Sequence, residues 1–303
     1  MPKAVVLTKY GPPDVLVWSD VPMPEPGRGR VRIRIRAAGV SPTDPKIRRG
    51  DLKAVFPLPA RAVLGFEAAG VVDALGPSVS GVREGDEVAC LLLGLGGYSE
   101  YAIASSWTPK PSNVSWSDAA GLPSSAEAAV GVLKLLGVSG GETLLILGAA
   151  GSVGMIATQL AVAQGVKVIG IASPRDHDLV RDLGAVPVSY GAGIADRVRD
   201  VTPSADAVLD AAGKGELAEA VILAGGPSRV ITIADEHAAE LGVSLSVATP
   251  DRAPEALDQA MALLASGALR LRRQRRLPMA DAAEAHRLLE KGEAHEKLVL
   301  EAQ

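Results

Sequence analysis

The sequence predicts an α/β protein, a doubly wound parallel sheet inserted into a β-rich domain, and three observations carry that prediction. From about residue 118 onward, stretches of helical and strand periodicity alternate, the pattern of parallel strands joined by crossover helices. Within that region residues 143–154, Thr-Leu-Leu-Ile-Leu-Gly-Ala-Ala-Gly-Ser-Val-Gly, read as an apolar strand that enters a glycine turn and opens a helix. Residues 1–110 have a different texture, rich in Val, Gly and Pro with short alternating stretches, as in a domain of short strands and turns. A chain of 303 residues suits two domains. The expected boundaries are a first part over 1–117, an inserted domain over 118–250, and a return segment over 251–303.

The elements follow in order. Val31-Arg32-Ile33-Arg34-Ile35-Arg36 alternates with period two, so it reads as a half-buried strand whose arginines form the solvent face. In the inserted domain, strands are expected near 143–147, 166–171, 186–189, 206–210, 228–233 and 243–248. A helix over 152–164 has apolar residues at helical spacing and is stopped by Gly165. Past Pro250 come a helix from Pro254 to Leu264, a basic stretch, a helix from Ala280 to Leu289 and a strand near Lys297–Leu300. This tail is expected to return to the first domain, leaving the active site in a cleft between the two.

The turn at 148–154 has a specific chemistry. Gly148 ends a buried strand, and the small residues Ala149, Gly151 and Gly154 let the backbone turn tightly, approach a pyrophosphate and pack the next helix on the sheet. The helix N-terminus then faces the anion with free N–H groups and the positive end of its dipole. Ala149 replaces the first glycine of the GxGxxG form, but strand, turn, helix and second strand make a βαβ unit of about 30 residues, as in a Rossmann dinucleotide-binding sheet. About 20 residues past the glycines, where an NAD site carries an acidic residue for the ribose 2′-hydroxyl, the chain has Ala172, followed by Ser173, Pro174 and Arg175. A missing carboxylate with a hydroxyl and a guanidinium nearby favours NADP(H).

Composition narrows the class. With 48% hydrophobic and 22% charged residues the chain buries a sizeable core and is not disordered. Neither a signal peptide nor an uncharged apolar run of about 18 residues is found, so a cytoplasmic protein without a membrane segment is expected. The single cysteine, Cys90, excludes an intrachain disulfide and a multi-cysteine metal site; it reads as a small buried hydrophobe. A net charge of −4 and 3% aromatics argue against a nucleic-acid binder.

The sequence also resembles a family, nearly end to end. Lys3-Ala4-Val5-Val6, Tyr10-Gly11-Pro12-Pro13-Asp14-Val15-Leu16, Ala37-Ala38-Gly39-Val40-Ser41-Pro42-Thr43-Asp44 and Ala282-Ala283-Glu284-Ala285-His286 are similar to the medium-chain dehydrogenase/reductase superfamily, in its zinc-independent, zeta-crystallin-like quinone oxidoreductase branch. The resemblance implies that the β-rich part is a GroES-like catalytic domain. In Leu64-Gly65-Phe66-Glu67-Ala68-Ala69-Gly70-Val71-Val72, Phe66 stands where zinc alcohol dehydrogenases have a ligand histidine, and Ser41 stands where they have their first cysteine. Phenylalanine donates no lone pair, and Glu67 alone does not hold zinc. No metal is therefore expected, and Glu67 is expected to satisfy backbone or arginine donors.

Without a Lewis acid, the chemistry has to suit the acceptor. Hydride from NADPH goes directly to an electron-poor conjugated acceptor, a quinone or α,β-unsaturated carbonyl, while the protein aligns the partners and hydrogen-bonds the oxygen that gains charge. The resemblance implies the same activity. An enoyl or enone reductase in a biosynthetic pathway is an alternative. So, from another class, is an NADPH-sensing or nucleic-acid-binding protein, suggested by the basic run at 269–276.

For site residues, the resemblance implies that Ser41 and Asp44 lie by the nicotinamide and substrate, that Tyr98 lies near the cleft, and that Tyr190 contacts the 2′-phosphate. Ser41 keeps a donor where relatives have Asn. Tyr98 reads equally well as a core aromatic with a satisfied hydroxyl, and Asp44 as a turn residue bonded to its own backbone. The cofactor-binding set is Ala149, Ala150, Gly151, Ser152, Val153, Gly154, Ser173, Arg175 and Tyr190. Ala128 departs from a threonine common in relatives, leaving that contact to Ser124, Ser125 or backbone, and Lys46 replaces a tyrosine. The loops 45–62 and 91–97 would shape the substrate pocket, with Asp51–Pro59 apolar enough to line it. A homodimer is implied by resemblance, through an exposed edge near 243–248.

Overall fold

The structure, a computed structural model, describes residues 1–55, 57–249 and 251–302. Phe56, in the loop expected to line a pocket, and Pro250, the expected end of the inserted domain, lie outside the described residues. The chain divides into two compact units. One comprises Met1–Ser124, Leu257–Ala268 and the chain from Arg273 onward; the other comprises Ser125–Ala256 and Leu269–Arg272. Residues 118–124 fall in the first unit because helix Trp116–Gly121 packs on strands Val31–Gly39, Glu67–Leu75 and Lys297–Glu301. Ser115 caps that helix, its Oγ accepting from the Asp118 N–H at 3.0 Å, which satisfies one of the open donors of the first turn. No helix among the described residues is long and apolar enough to cross a membrane.

The first unit is built on a seven-stranded sheet. Its path runs Gln274–Pro278, Lys297–Glu301, Val31–Gly39, Glu67–Leu75, Glu87–Leu91 and Ser106–Pro109, with Tyr101–Ala104 also pairing to Val31–Gly39. The C-terminal segment thus supplies two strands beside one formed near the start. The alternation at 31–36 appears as expected: Val31, Ile33 and Ile35 are buried, while Arg34 and Arg36 are exposed. A smaller three-stranded sheet pairs Leu16–Asp20, Lys3–Leu7 and Ala62–Val63. The core gathers Val5, Ile33, Ile35, Val72, Val88, Leu298 and Leu300, and helix Ala282–Glu290 closes it with Ala282, Ala285 and Leu288. Cys90 is buried there and free, and burial pushes its thiol pKa up, as befits a small hydrophobe. The arginine-rich run ends in Gln274–Pro278, an edge strand with Arg275 and Arg276 exposed.

The second unit is a six-stranded, all-parallel sheet in the order Val186–Ser189, Lys167–Ala172, Thr143–Leu147, Ala207–Asp210, Val230–Thr232 and Ser244–Leu245. The order reverses at Thr143–Leu147, which makes this the doubly wound arrangement expected and sets a ligand crevice at the carboxyl ends of the central strands. Strand 143–147 is buried on both faces, and so reads as a continuous apolar run. Two expected strands are shorter. A 3-10 turn at Pro227–Arg229 delays the fifth to Val230–Thr232, and the sixth is only Ser244–Leu245. As an edge strand it has a single neighbour to pair with.

Candidate active site

The glycine turn is organised by close backbone approaches. Gly148 has φ +89°, a left-handed conformation open to glycine. Its N–H and that of Ala149 donate to the Ile171 carbonyl at 3.0 and 3.1 Å, and the Gly151 N–H returns to the Gly148 carbonyl at 2.8 Å. A Cβ on Gly154 would stand 2.1 Å from the Gly148 oxygen and 2.8 Å from the Ala149 Cα, so only glycine lets the helix lie this close. Gly170 explains why Ala149 is tolerated where a glycine is usual: a Cβ at Gly170 would meet the Ala149 methyl at 2.7 Å, so the missing side chain on the neighbouring strand makes room. Helix Ser152–Ala163 begins from Gly151, and Ser152 and Val153 are half-buried in its first turn. N–H groups in a first turn have no partner inside the helix. Ala149 and Ala150 are buried beneath the turn. A turn of this geometry, opening a helix, is able to receive a pyrophosphate.

The ribose end is assembled from the next two strands. Ala172 pairs with Ser189, so Ser173 and Tyr190 follow side by side on adjacent strand ends. Arg197 fixes the Tyr190 loop, its guanidinium donating to the carbonyls of Ser189 at 3.1 Å, Gly191 at 2.6 Å and Ala192 at 2.9 Å. Lys214 was not singled out from sequence: its Nζ lies 4.4 Å above the Tyr190 ring, a cation–π contact. Arg175 is mostly exposed and lies 3.7 Å from Asp176. Burial raises the Tyr190 pKa, with Glu216 and Asp210 adding to it, so its hydroxyl keeps its proton and can donate. Cations and hydroxyls here match a phosphate monoester.

In the first unit a second set of polar groups converges. Asp44, in helix Thr43–Arg49, accepts from the Ser41 N–H at 2.7 Å and from the Tyr98 hydroxyl at 2.8 Å through Oδ2, and from the Gly65 N–H at 3.3 Å through Oδ1. It therefore bonds its own turn, as expected, and also ties that turn to two distant segments. Burial pushes its pKa up to about 6, against lowering contributions from Ser41, Tyr98 and Lys297. Tyr98 is 0% exposed; its N–H donates to the Leu64 carbonyl at 2.9 Å and a Cβ on Gly65 would meet its ring at 2.7 Å, so it stands within the core with its hydroxyl satisfied, one of the two readings the sequence offers. Ser41 is half-buried, and its Oγ accepts from the Thr43 N–H at 3.2 Å, which leaves the hydroxyl proton to donate.

Glu67 is 0% exposed with both oxygens engaged. Lys297 donates to Oε1 at 2.5 Å and the Ser124 N–H to Oε2 at 2.8 Å. The expected donors are backbone or arginine; the backbone donor is there in Ser124, and the charged one is a lysine from the last strand, unmarked in the sequence because one charge opening an apolar strand reads as a strand end. With Phe66 beside it and Ser41 in the neighbouring turn, this donor set does not fit zinc. Among the described residues no group of three or more His, Cys, Asp or Glu could hold a metal ion. Ser124 offers its backbone to Glu67, and Lys46 is half-buried on helix Thr43–Arg49. Of the described residues in 51–59, Asp51, Lys53, Ala54, Val55, Pro57 and Pro59 are exposed, while Leu52 and Leu58 pack on the core.

The chain is similar to known families, proteins and solved structures. The family profile described as Alcohol dehydrogenase GroES-like domain matches residues 27–111, and that described as Zinc-binding dehydrogenase matches residues 183–300. The NADPH-dependent alkenal/one oxidoreductase of Arabidopsis thaliana is 36% identical over 245 residues, 76% of this chain; the chain spans 62% of that protein's length. A quinone oxidoreductase structure from Coxiella burnetii superposes with a TM-score of 0.85 at 29% identity, covering 100% of this chain and 99% of that one. An NAD-dependent alcohol dehydrogenase structure gives a TM-score of 0.85 at 30% identity, covering 99% of this chain and 100% of that one.

Proposed function

The chain belongs to the medium-chain dehydrogenase/reductase superfamily, in its quinone oxidoreductase-like branch, and on that premise we propose that it is a metal-independent, NADPH-dependent oxidoreductase that reduces a quinone or another conjugated carbonyl. The observation that carries this reading is the glycine cradle at 148–154, at the point where the strand order reverses. Bound NADPH supplies the hydride. The chain's own part is to hold and to polarise. Ser152 and Val153 present N–H groups to the pyrophosphate. Ser173, Arg175, Tyr190 and Lys214 receive the 2′-phosphate, and Ala172 stands at the strand end where an NAD site carries its carboxylate. The Ser41 hydroxyl donates to the acceptor oxygen as negative charge builds there. Asp44 and Tyr98 act as positioning residues, because both are fully buried and hold the Ser41 turn.

Metal independence rests on the donor set, since Glu67 is consumed by Lys297 and Ser124. Reduction of an activated C=C in an enone is the second reading, favoured by the alkenal/one oxidoreductase relative; it needs the same hydride geometry and differs in the acceptor. A cytoplasmic homodimer is also proposed, with Leu245 and Val247, both exposed at the sheet edge, suited to the contact. One stopped-flow panel tests the whole reading: NADPH and NADH are offered with quinones, enals and enones, with and without a chelator. Oxidation of NADPH that a chelator leaves unchanged is expected. Loss of activity on chelation would overturn metal independence, and a preference for NADH would overturn the phosphate pocket.

A further inference from the structure

Asp44, Tyr98 and His286 come from three distant parts of the chain and line up inside the first unit. The Tyr98 Oη lies 2.8 Å from Asp44 Oδ2 and 3.4 Å from His286 Nε2, and all three residues are 0% exposed. An ionised carboxylate only accepts. With Asp44 ionised, Tyr98 therefore donates to it, and the Tyr98 oxygen accepts from His286, which must carry its hydrogen on Nε2. Both oxygens of Asp44 accept from a backbone N–H, Oδ2 from Ser41 at 2.7 Å and Oδ1 from Gly65 at 3.3 Å, but only Oδ2 also faces a hydroxyl that can turn, so a proton added on that side points at Tyr98. Asp44 then donates to Tyr98, Tyr98 donates to Nε2, and the imidazole must carry its hydrogen on Nδ1. That atom has no hydrogen-bond partner among the described residues, so neither form is blocked there.

We propose that Asp44, Tyr98 and His286 form a reversible hydrogen-bond chain that takes up one proton by reversing every bond in it, with His286 as a positioning residue that acts through Tyr98 on the Ser41 turn. The protons balance. In the ionised form the chain holds two, on Tyr98 and Nε2; in the protonated form it holds three, on Asp44, Tyr98 and Nδ1. As the chain gains one proton, Nδ1 ends with a hydrogen, the Nε2 hydrogen moves to Tyr98 and the Tyr98 hydrogen to Asp44. Conversely, its release returns the chain to the first form.

The surroundings suit this. Burial pushes Asp44 up to about 6, with Lys297 lowering it and Glu67 raising it. Burial and then Arg48 push His286 down to about 3, with Glu290 opposing and Arg49 adding to the fall, so the ring stays neutral while its tautomer changes. Tyr98 is raised by burial and by Asp44 and stays a phenol. The link to turnover rests on the proposed hydride transfer at Ser41; the chain itself does not.

Nitrogen-15 NMR of the full chain labelled at histidine tests the idea, because neutral imidazole tautomers have distinct nitrogen shifts. The four histidines are assigned by His286→Gln or, if that variant fails to fold, by elimination with His177→Gln, His237→Gln and His295→Gln. Between about pH 5 and about pH 8 His286 is expected to remain neutral and to cross from the Nδ1–H to the Nε2–H form as pH rises. In Tyr98→Phe the crossing is expected to vanish, and the midpoint of the acid limb of kcat to move while KM for NADPH holds. A single tautomer throughout, an imidazolium, or a crossing that survives Tyr98→Phe would overturn the proposal. If the hydride-transfer reading fails instead, the tautomer crossing persists in a protein that does not oxidise NADPH.

Discussion

Replacing Lys297 by methionine should destabilise the first unit by about 3–5 kcal/mol, the loss typical when one partner of a buried ion pair is removed. The structure makes this a demanding case. Glu67 is 0% exposed and Lys297 is 8% exposed, with Nζ and Oε1 at 2.5 Å. Methionine keeps a stem of similar length, so packing near Gly121, where a Cβ would stand 3.4 Å from the Lys297 Cγ, is largely preserved and cavity effects stay small. What remains is an uncompensated carboxylate with only the Ser124 N–H on its second oxygen. Trp18, Trp107 and Trp116 all lie in the first unit, so tryptophan fluorescence in urea reports this unit's unfolding. Pairing Lys297→Met with Glu67→Gln should recover most of the loss, because the amide still accepts from Ser124 and no charge stays buried. A single-variant loss under about 1 kcal/mol, the size of an exposed pair, would refute the reasoning. A double variant as unstable as Lys297→Met would refute it too.

Gly154→Ala should leave the tryptophan-reported transition in place and weaken NADPH binding at least about tenfold, since the overpacking of about 1–3 kcal/mol falls on backbone atoms of the cradle; cofactor fluorescence on titration measures it. Lys214→Met should raise the Kd for NADPH by roughly tenfold or more, the worth of one charged hydrogen bond, and leave that for NADH unchanged. Stability should vary little with pH between about 4 and 6 on account of two opposed groups. Asp44, raised from 3.8 to about 6, binds the extra proton in the native state there, so its contribution falls as pH rises. His286, lowered from 6.5 to about 3, binds it in the unfolded state, so its contribution rises. In Asp44→Asn the rise should emerge alone, at about 1.4 kcal/mol per pH unit, in urea titrations at stepped pH.

The second unit was far more legible in the sequence than the first. Its strands are buried on both faces and joined by local crossovers, so apolar runs and glycine turns mark them directly, and Thr143–Leu147 stands where periodicity put it. Strand ends were less readable where a turn intervened, as at Pro227–Arg229. In the first unit the partners are far apart in sequence. Leu300 pairs with Ala38, Glu67 meets Lys297, and Tyr98 meets His286; no local pattern encodes such a pairing. His286 sits among alanines and leucines on the inner face of its helix, and a lone polar residue at an apolar position was the available signal. Lys214 had none, because its relation to Tyr190 depends on two strand ends coming together.

The arginines at 275 and 276 bear on how copies of this protein behave in a crowded solution. They sit on Gln274–Pro278, the open rim of the seven-stranded sheet, where unpaired backbone groups would otherwise template another chain. Guanidinium groups along that rim repel an identical rim, and Pro278 withholds a donor at its end. Charge on that rim thus opposes edge-to-edge stacking, and neutralising Arg275 and Arg276 is expected to favour association of copies through it.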